Sequence, residues 1–346
     1  MKAWKKEDEQ KERGKMKGFM KGEFQPDLDS FFCLESASTT ALTTVLLLGI
    51  IFSVIAAVHL GYTPEWKNDY EHSHMTSVWE DMTELKSKID MTTVLLASDI
   101  NSSTPKVTTT TTLHTRKLET PFISSTKSTG IFSLNTDRCK MIITPANNSE
   151  MENAMENAME NATVINCGTI AYNSNNNYYT EQTFKYENGA LILEQNKKAV
   201  MKLYPSISVS EVSFRNYTFL INAVEIQGVA NTISSNLDGS ILLKGISYGT
   251  LYDSAISGNE SSLLLTVYTD HPAAWKIYLN ETMTEAGLEV DKDYALDRIG
   301  NNYVTYVFPE KGSDISLKRL YVGKATINAE LGIGLSGFVE SKLNSK

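Results

Sequence analysis

The feature that most constrains this chain is an uncharged, apolar run near its N-terminus. Residues 36–64 contain no Asp, Glu, Lys or Arg, and residues 41–60 are rich in Leu, Ile, Val and Ala. Roughly 20 helical residues cross a bilayer core of about 30 Å. A segment in hydrocarbon must pair its own backbone groups, which a helix does. We therefore predict one transmembrane helix over residues 38–62, with membrane lipid as its first partner.

Two other interpretations of this run fit less well. A core helix of a soluble protein usually has a polar face, which this run lacks. A cleaved signal peptide has a shorter apolar region, typically about 7–15 residues, that begins closer to the N-terminus.

The charges on either side of the run predict its orientation. Residues 1–35 hold eight basic residues, whereas residues 65–90 hold seven acids against three lysines. Because basic residues beside a membrane segment tend to stay in the cytoplasm, we expect residues 1–35 to be a charged cytoplasmic tail or leader. The C-terminal domain is then extracellular, at the cell membrane.

The net charge also bears on partners. The eight bases of the tail are balanced by eight acids, so the net charge of −9 falls on the remainder of the chain. An acidic exterior argues against nucleic acid as a partner. The ligand of the outer surface is not indicated by any motif.

Six Asn-x-Ser/Thr sequons give an independent indication of exposure, because such a sequon is an acceptor only on the translocated side. All of them follow the apolar run: Asn101, Asn147, Asn161, Asn216, Asn259 and Asn280. Chance in an Asn-rich chain explains two or three of them. We expect a glycoprotein.

Cys139 and Cys167 are both predicted to lie outside the cell, where a disulfide persists once formed. We favour a bridge between them over two free thiols. It would close a loop around the repeat at residues 151–162 and tie the first strands of the outer domain together.

A second helix is predicted directly after the membrane segment, over residues 64–98. Its apolar residues recur at spacings of three and four: Met75, Val78, Met82, Leu85 and Ile89. The seam is too short to establish a coiled coil. Two interpretations stay open, in which the amphipathic helix packs on its own domain or bundles with other subunits.

Residues 99–130 change in character. Ten Thr and five Ser lie among residues 101–130. So polar a segment buries too little apolar area to offset the entropy of ordering it. We predict a flexible, Thr/Ser-rich stalk, open to O-glycosylation.

The outer domain is predicted to span residues 131–346, interrupted by a surface loop of three tandem Met-Glu-Asn-Ala copies at residues 151–162. Short β-branched runs of period two, punctuated by Gly and Asn, predict strands. These are residues 165–172, 183–186, 190–195, 209–214, 218–227, 241–248, 262–269, 303–308 and 316–329. A helix with Asp270 as its cap and Pro272 in its first turn interrupts the strands and ends at Gly287.

The fold class that follows is an N-terminal transmembrane α-helix plus a mostly-β, sandwich-like extracellular domain with one inserted helix.

Signals of catalysis or metal binding are weak. The chain has no Gly-x-Ser-x-Gly elbow, phosphate-binding loop or cysteine pair of zinc spacing. His72 and His74 are two apart and should face different sides of a helix. Asp291 and Asp293 alternate in a loop that lacks the Gly and closing Glu of an EF-hand. We therefore expect no enzymatic activity, cofactor or metal. An ectoenzyme would need a pocket of titratable groups.

Several stretches carry a resemblance to a known family. They are TVLLLGI at 44–50, GYTPEWK at 61–67, DMTELK at 81–86, GTIAY at 168–172, NNYY at 176–179, YENGA at 186–190 and the segment 269–288. Together they resemble archaeal surface proteins of unknown biochemical activity, related to archaeal type IV pilins by their hydrophobic N-terminal segment.

The resemblance implies processing and assembly. A dedicated peptidase cuts archaeal pilins just before the hydrophobic segment, and the freed helices pack into a filament core. A cut near Ala37, Ser38 and Thr39 and self-association through the N-terminal helices are therefore implied. Such precursors usually place Lys or Arg directly before the cut, whereas the nearest base here is Lys21.

Two functional hypotheses result. In the first, the chain is a non-enzymatic, pilin-like cell-surface protein that displays its β domain for structural or adhesive use. In the second, it is a monomeric, stalked ligand-binding or adhesion ectodomain with an uncleaved anchor whose N-terminus is inside.

Overall fold

The computed structural model describes residues 29–98, 107–113, 130–146, 162–234, 238–257, 262–333 and 337–338. The chain divides into two compact units, one ending at Gly61 and the other beginning at Tyr62.

The first unit contains one long apolar helix, α1 (Asp29–Ala57), which a π-helical turn, Val58–Tyr62, follows in the chain. By length and composition it could cross a membrane, and none of its apolar window is buried. The hydroxyls of Thr43 and Thr44 donate to the carbonyls of Thr39 and Thr40, at 3.0 and 2.9 Å. These two hydroxyls are thus paired within the helix, as an apolar surrounding requires.

The second unit begins with α2 (Thr63–Ser98). All five residues of its predicted apolar seam are at most 3% exposed: Met75, Val78, Met82, Leu85 and Ile89. They pack with buried strand residues of the same unit, so the helix lies on its own domain. Burying each such side chain contributes about 1.5–3 kcal/mol relative to leaving it in water.

The rest of the second unit is mostly β-structure. The strands in the described residues are β1 Thr108–Leu113, β2 Ile131–Leu134, β3 Lys140–Ala146, β4 Thr163–Asn166, β5 Thr169–Asn173, β6 Gln182–Glu187, β7 Ala190–Gln195, β8 Lys198–Leu203, β9 Ile207–Ser213, β10 Asn216–Gln227, β11 Asn231–Ile233, β12 Gly239–Asp253, β13 Ser262–Tyr268, β14 Ala295–Ile299, β15 Tyr303–Phe308, β16 Ser316–Ile333 and β17 Gly337–Phe338. Two helices interrupt them, α3 Ser254–Ser257 and α4 Pro272–Glu285.

The strands form three sheets. Sheet I has the order β1-β12-β16-β10-β9, with β17 beside β16; sheet II is β11-β2-β5-β6-β7-β8; and sheet III is β14-β15-β13-β3-β4. The pair β10 and β16 runs parallel. The other paired strands of the described residues are antiparallel.

The long strands of sheet I contribute side chains to two separate hydrophobic cores. Tyr217, Phe219 and Ile221 of β10 pack into a core with sheet III and α4. Further along the same strand, Val224 and Ile226 pack into a second core beneath α2 and sheet II. Alternate residues of a strand point to opposite faces, so the change from odd to even numbers means that β10 buries first one face and then the other.

One predicted strand, residues 165–172, is wrong as a single element. The chain leaves sheet III at the end of β4 and enters sheet II at β5. Gly168 lies between them at φ +70°, and a Cβ there would stand 2.2 Å from the carbonyl oxygen of Ile226. Only glycine fits this crossing, because the backbone is left-handed and a neighbouring chain approaches closely.

The prediction of a flexible stalk over residues 99–130 is wrong for β1. Residues Thr108 to Leu113 pair with β12 along their whole length, and Thr111 and Leu113 are buried while Thr110 and Thr112 are exposed. Threonine is β-branched and favours strands. The composition that suggested disorder therefore also suits an edge strand. Residues 99–106 and 114–129 lie outside the described residues.

The outer domain consequently begins before residue 131. Tyr62 and the residues of α2 and β1 belong to the same compact unit as the sheets. The helix predicted over 64–98 is present as α2, but it is part of the β domain's core rather than a separate element below a stalk.

The inserted helix is present as α4, with Pro272 in its first turn and Trp275, Leu279 and Met283 buried. Its predicted cap is wrong. The N-cap is His271, which makes no side-chain cap hydrogen bond. Asp270 instead accepts a 2.6 Å hydrogen bond from Lys185 of β6, and that ion pair uses the carboxylate that capping would need.

Candidate functional site

The sequons Asn216 and Asn280 lie in the described residues, and both amides are engaged. The Nδ2 of Asn216 donates to the carbonyl oxygen of Phe214 at 2.9 Å, and its Oδ1 accepts from Ser316 at 2.7 Å. The Oδ1 of Asn280 accepts from the hydroxyl of Tyr306 at 2.9 Å. Asn101, Asn147, Asn161 and Asn259 lie outside the described residues. Glycosylation stays a prediction at all six.

Cys139 and Cys167 are free, buried thiols in the structure. They are neighbours, since the backbone N–H of Cys167 donates to the carbonyl oxygen of Cys139 at 3.0 Å. A hydrogen bond to Cys167, together with burial, raises the pKa of the Cys139 thiol well above its ordinary value. A protonated thiol is a poor nucleophile. The structure does not contain the predicted bridge, which stays a prediction.

The predicted processing residues Ala37, Ser38 and Thr39 lie inside α1. The cut at this position stays a prediction.

His72 and His74 lie in different surroundings. His72 is exposed on α2, whereas His74 is buried with its Nε2 3.0 Å from the hydroxyl of Tyr172. The carboxylate of Asp293 accepts a 2.9 Å hydrogen bond from the backbone N–H of Glu289. Within the ranges that the structure describes, no group of three or more His, Cys, Asp or Glu side chains could hold a metal ion.

A groove of about 380 Å³ lies between α2 and sheet II. We call it the aromatic groove and define it by its lining residues: His72, Met75, Thr76, Trp79, Tyr179, Gln182, Phe184, Leu193 and Lys202. Pockets of this size that are mainly apolar, with a few polar groups, are typical of ligand sites.

Rings form the walls of the aromatic groove. The ring centroids of Trp79 and Phe184 are 5.8 Å apart, and the ring of His72 meets that of Tyr179 edge-on at 5.1 Å. The floor is continuous because Phe184 and Leu193 are register partners across β6 and β7.

A buried carboxylate fixes one wall of the groove. Glu71, only 1% exposed, accepts hydrogen bonds from the backbone N–H groups of Asn177, Tyr178 and Tyr179 at 3.0, 2.8 and 2.7 Å. Charge-assisted bonds of this kind are roughly twice as strong as neutral ones. Glu71 therefore holds the loop that carries Tyr179 against α2.

The charge of the aromatic groove differs from that of the chain. None of its nine lining residues is acidic, and Lys202 is the lysine among them, in a chain whose net charge is −9. An ammonium in a setting without lining carboxylates favours an anionic group on whatever enters.

The aromatic groove is not apparent from the sequence. A signal for half of it was present, because His72, Met75, Thr76 and Trp79 follow the i, i+3, i+4, i+7 spacing of one helix stripe. The other half comes from strands about a hundred residues further on, and no local pattern joins the two.

A second polar group, which we call the Lys185 cluster, joins the buried Lys185 and Glu187 to Asp137 and Asp270, whose side chains are 39% and 56% exposed. The Nζ of Lys185 is 2.6 Å from Asp270, 3.1 Å from Asp137 and 3.9 Å from Glu187. Glu187 is fully buried and its Oε1 accepts from Thr269 at 2.5 Å and from Trp275 at 2.6 Å. The cluster connects β6 to the start of α4, so we assign it to stability.

Burial alone would lower the pKa of Lys185. The carboxylates of Glu187, Asp270 and Asp137 outweigh that effect, and the pKa is raised above its ordinary value. Lys185 therefore stays charged in the core.

Comparison with known proteins finds no matching family model, no matching curated protein and no matching solved structure.

Proposed function

We propose that this chain is a non-enzymatic, pilin-like cell-surface protein, anchored or assembled through α1 and displaying its β domain outside the cell for adhesive or structural use. The observation that carries the proposal is α1 itself. It is long, uncharged over its apolar window, and its apolar side chains are exposed, as with Leu46 at 59% and Ile50 at 63%. A bilayer or a bundle of such helices would cover them.

The alternative is a ligand-binding or adhesion ectodomain on an uncleaved anchor. Two observations favour it as a second candidate. The seam of α2 is buried on its own domain, so this seam does not bundle with other subunits. The aromatic groove also offers a site for a ligand.

Washing isolated membranes with alkaline carbonate tests the anchor. Peripheral proteins are released by this treatment, whereas a protein with a spanning helix stays in the membrane pellet. We expect the chain in the pellet, and release into the supernatant would contradict the proposal.

The mature N-terminus separates the two candidates. Mass spectrometry of the purified chain should find a new N-terminus near Ala37 to Thr39 if the chain is processed like a pilin. An intact end at Met1 or Lys2 would rule out that processing and leave the anchored ectodomain.

A further inference from the structure

We propose that the aromatic groove binds a sugar ring that carries a carboxylate, the chemistry of an acidic saccharide. This rests on the proposed display of the domain outside the cell, where such polymers are met. Nothing in the fold or the anchor requires this site.

The rings of the groove supply the first part of the argument. One face of a pyranose ring presents C–H bonds, which pack on an aromatic ring. Trp79 of α2 and Tyr179 of the loop before β6 both contribute such rings to the lining. Aromatic side chains provide large contact areas at a small cost in conformational entropy.

The polar lining supplies the second part. Lys202 can pair with a carboxylate, and Gln182, Thr76 and His72 can exchange hydrogen bonds with ring hydroxyls. No lining residue is acidic, and the buried carboxylate of Glu71 behind the Tyr179 wall is already hydrogen-bonded to three backbone N–H groups. A neutral sugar cannot form an ion pair with the ammonium of Lys202, which gives the site a preference for the acid.

Preorganisation supplies the third part. The three backbone hydrogen bonds to Glu71 hold the Tyr179 loop before any ligand arrives. A wall that is already ordered does not lose conformational entropy on binding. Glu71 is thus a positioning residue, which acts on the ligand through Tyr179.

Titration of the full-length chain in detergent micelles tests the proposal. The probes are a glucuronic acid disaccharide, the glucose disaccharide of the same linkage, and benzoate as an aromatic acid without hydroxyls. Binding is followed by calorimetry and by saturation-transfer NMR. We expect the acidic disaccharide to bind about tenfold or more tighter than the neutral one, and benzoate to bind no better than the neutral sugar.

Two pairs of variants locate the site. Trp79→Ala should abolish binding, while Trp66→Ala, at an exposed tryptophan of the same helix outside the groove, should leave it unchanged. Lys202→Gln should bring the affinity for the acid down to that for the neutral sugar. Lys198→Gln, at an exposed lysine of the same strand outside the groove, should keep the difference.

A third variant tests the positioning role. Glu71→Gln should weaken binding of both disaccharides by a similar factor and keep the preference for the acid, because it loosens a wall without removing the ammonium. Circular dichroism confirms that each variant is folded. Lys202 is exposed, so its replacement is informative even if Trp79→Ala fails to fold.

Several results would overturn the proposal: no binding of either disaccharide, equal affinity for both, equal effects of Trp79→Ala and Trp66→Ala, or benzoate as the tightest probe. These results concern the purified chain. A negative binding result would not contradict the membrane anchor or its orientation. A wrong orientation would not change the binding data.

Discussion

At the scale of single residues, buried charges affect the stability of this domain more than exposed charges do. Lys185 has a side chain only 3% exposed and Glu187 is fully buried. Two charges in a core are stable only while they are paired, and removal of one partner leaves the other uncompensated. The sequence offered no sign of this pairing, because Asp137, Lys185 and Asp270 come from three distant segments.

Replacement of Lys185 with Met keeps most of the side-chain length and removes the charge. Glu187 then lacks its buried countercharge, and we expect the free energy of unfolding to fall by about 3–5 kcal/mol. Urea denaturation followed by circular dichroism measures it. Lys198→Met, on an exposed lysine, is the control and should stay within about 0.5 kcal/mol of the parent. A loss as small as the control's would contradict the role given to the cluster.

The Lys185 cluster predicts that the stability of the domain falls at high pH. Because the pKa of Lys185 is raised in the folded chain, its stabilising contribution is fully present below the unfolded value of about 10.4. It is lost as the pH rises through the folded value. The parent should therefore lose more stability above pH about 10.4 than Lys185→Met does. Parallel slopes of melting temperature against pH for the two proteins would contradict this.

At the scale of elements, turns and long alternating strands are readable from the sequence. The pair Asn188-Gly189 predicts a tight turn, and both residues have positive φ, 46° and 82°, between β6 and β7. The strands predicted at 190–195 and 303–308 coincide with β7 and β15. Both runs are bounded by turn residues, which made their ends readable from the sequence.

Other strands were missed for identifiable reasons. β3 contains Pro145, which reads as a strand breaker. β8 carries Lys198 and Lys202 at the edge of sheet II, where charge is common but weakens the apolar signal. Strand β1 was hidden by its threonine composition, which resembles that of a linker.

The alternation in β1 gives a matched pair of substitutions. Thr111 is buried between its exposed neighbours Thr110 and Thr112. Thr111→Asp places a charge in the core and should lower the free energy of unfolding by about 3 kcal/mol or more, whereas Thr112→Asp should change it by less than about 0.5 kcal/mol. Chemical denaturation of both variants checks the difference. Equal effects would mean that β1 is not held in the sheet.

At the scale of the whole molecule, the class of the fold was predictable and its layering was not. An apolar N-terminal helix and a mostly-β domain with an inserted helix follow from composition and period. The three-sheet arrangement does not, because it depends on the parallel pairing of β10 with β16, strands about a hundred residues apart. The aromatic groove was unpredictable for the same reason.

The central claim is that α1 holds the chain in a membrane with the β domain outside. Intact cells can be treated with a membrane-impermeant, lysine-reactive biotin reagent and the labelled peptides identified by mass spectrometry. We predict labelling of exposed domain lysines such as Lys198 and Lys202 without permeabilisation, and no labelling of residues 1–35. Labelling of the domain lysines only after permeabilisation would contradict the claim.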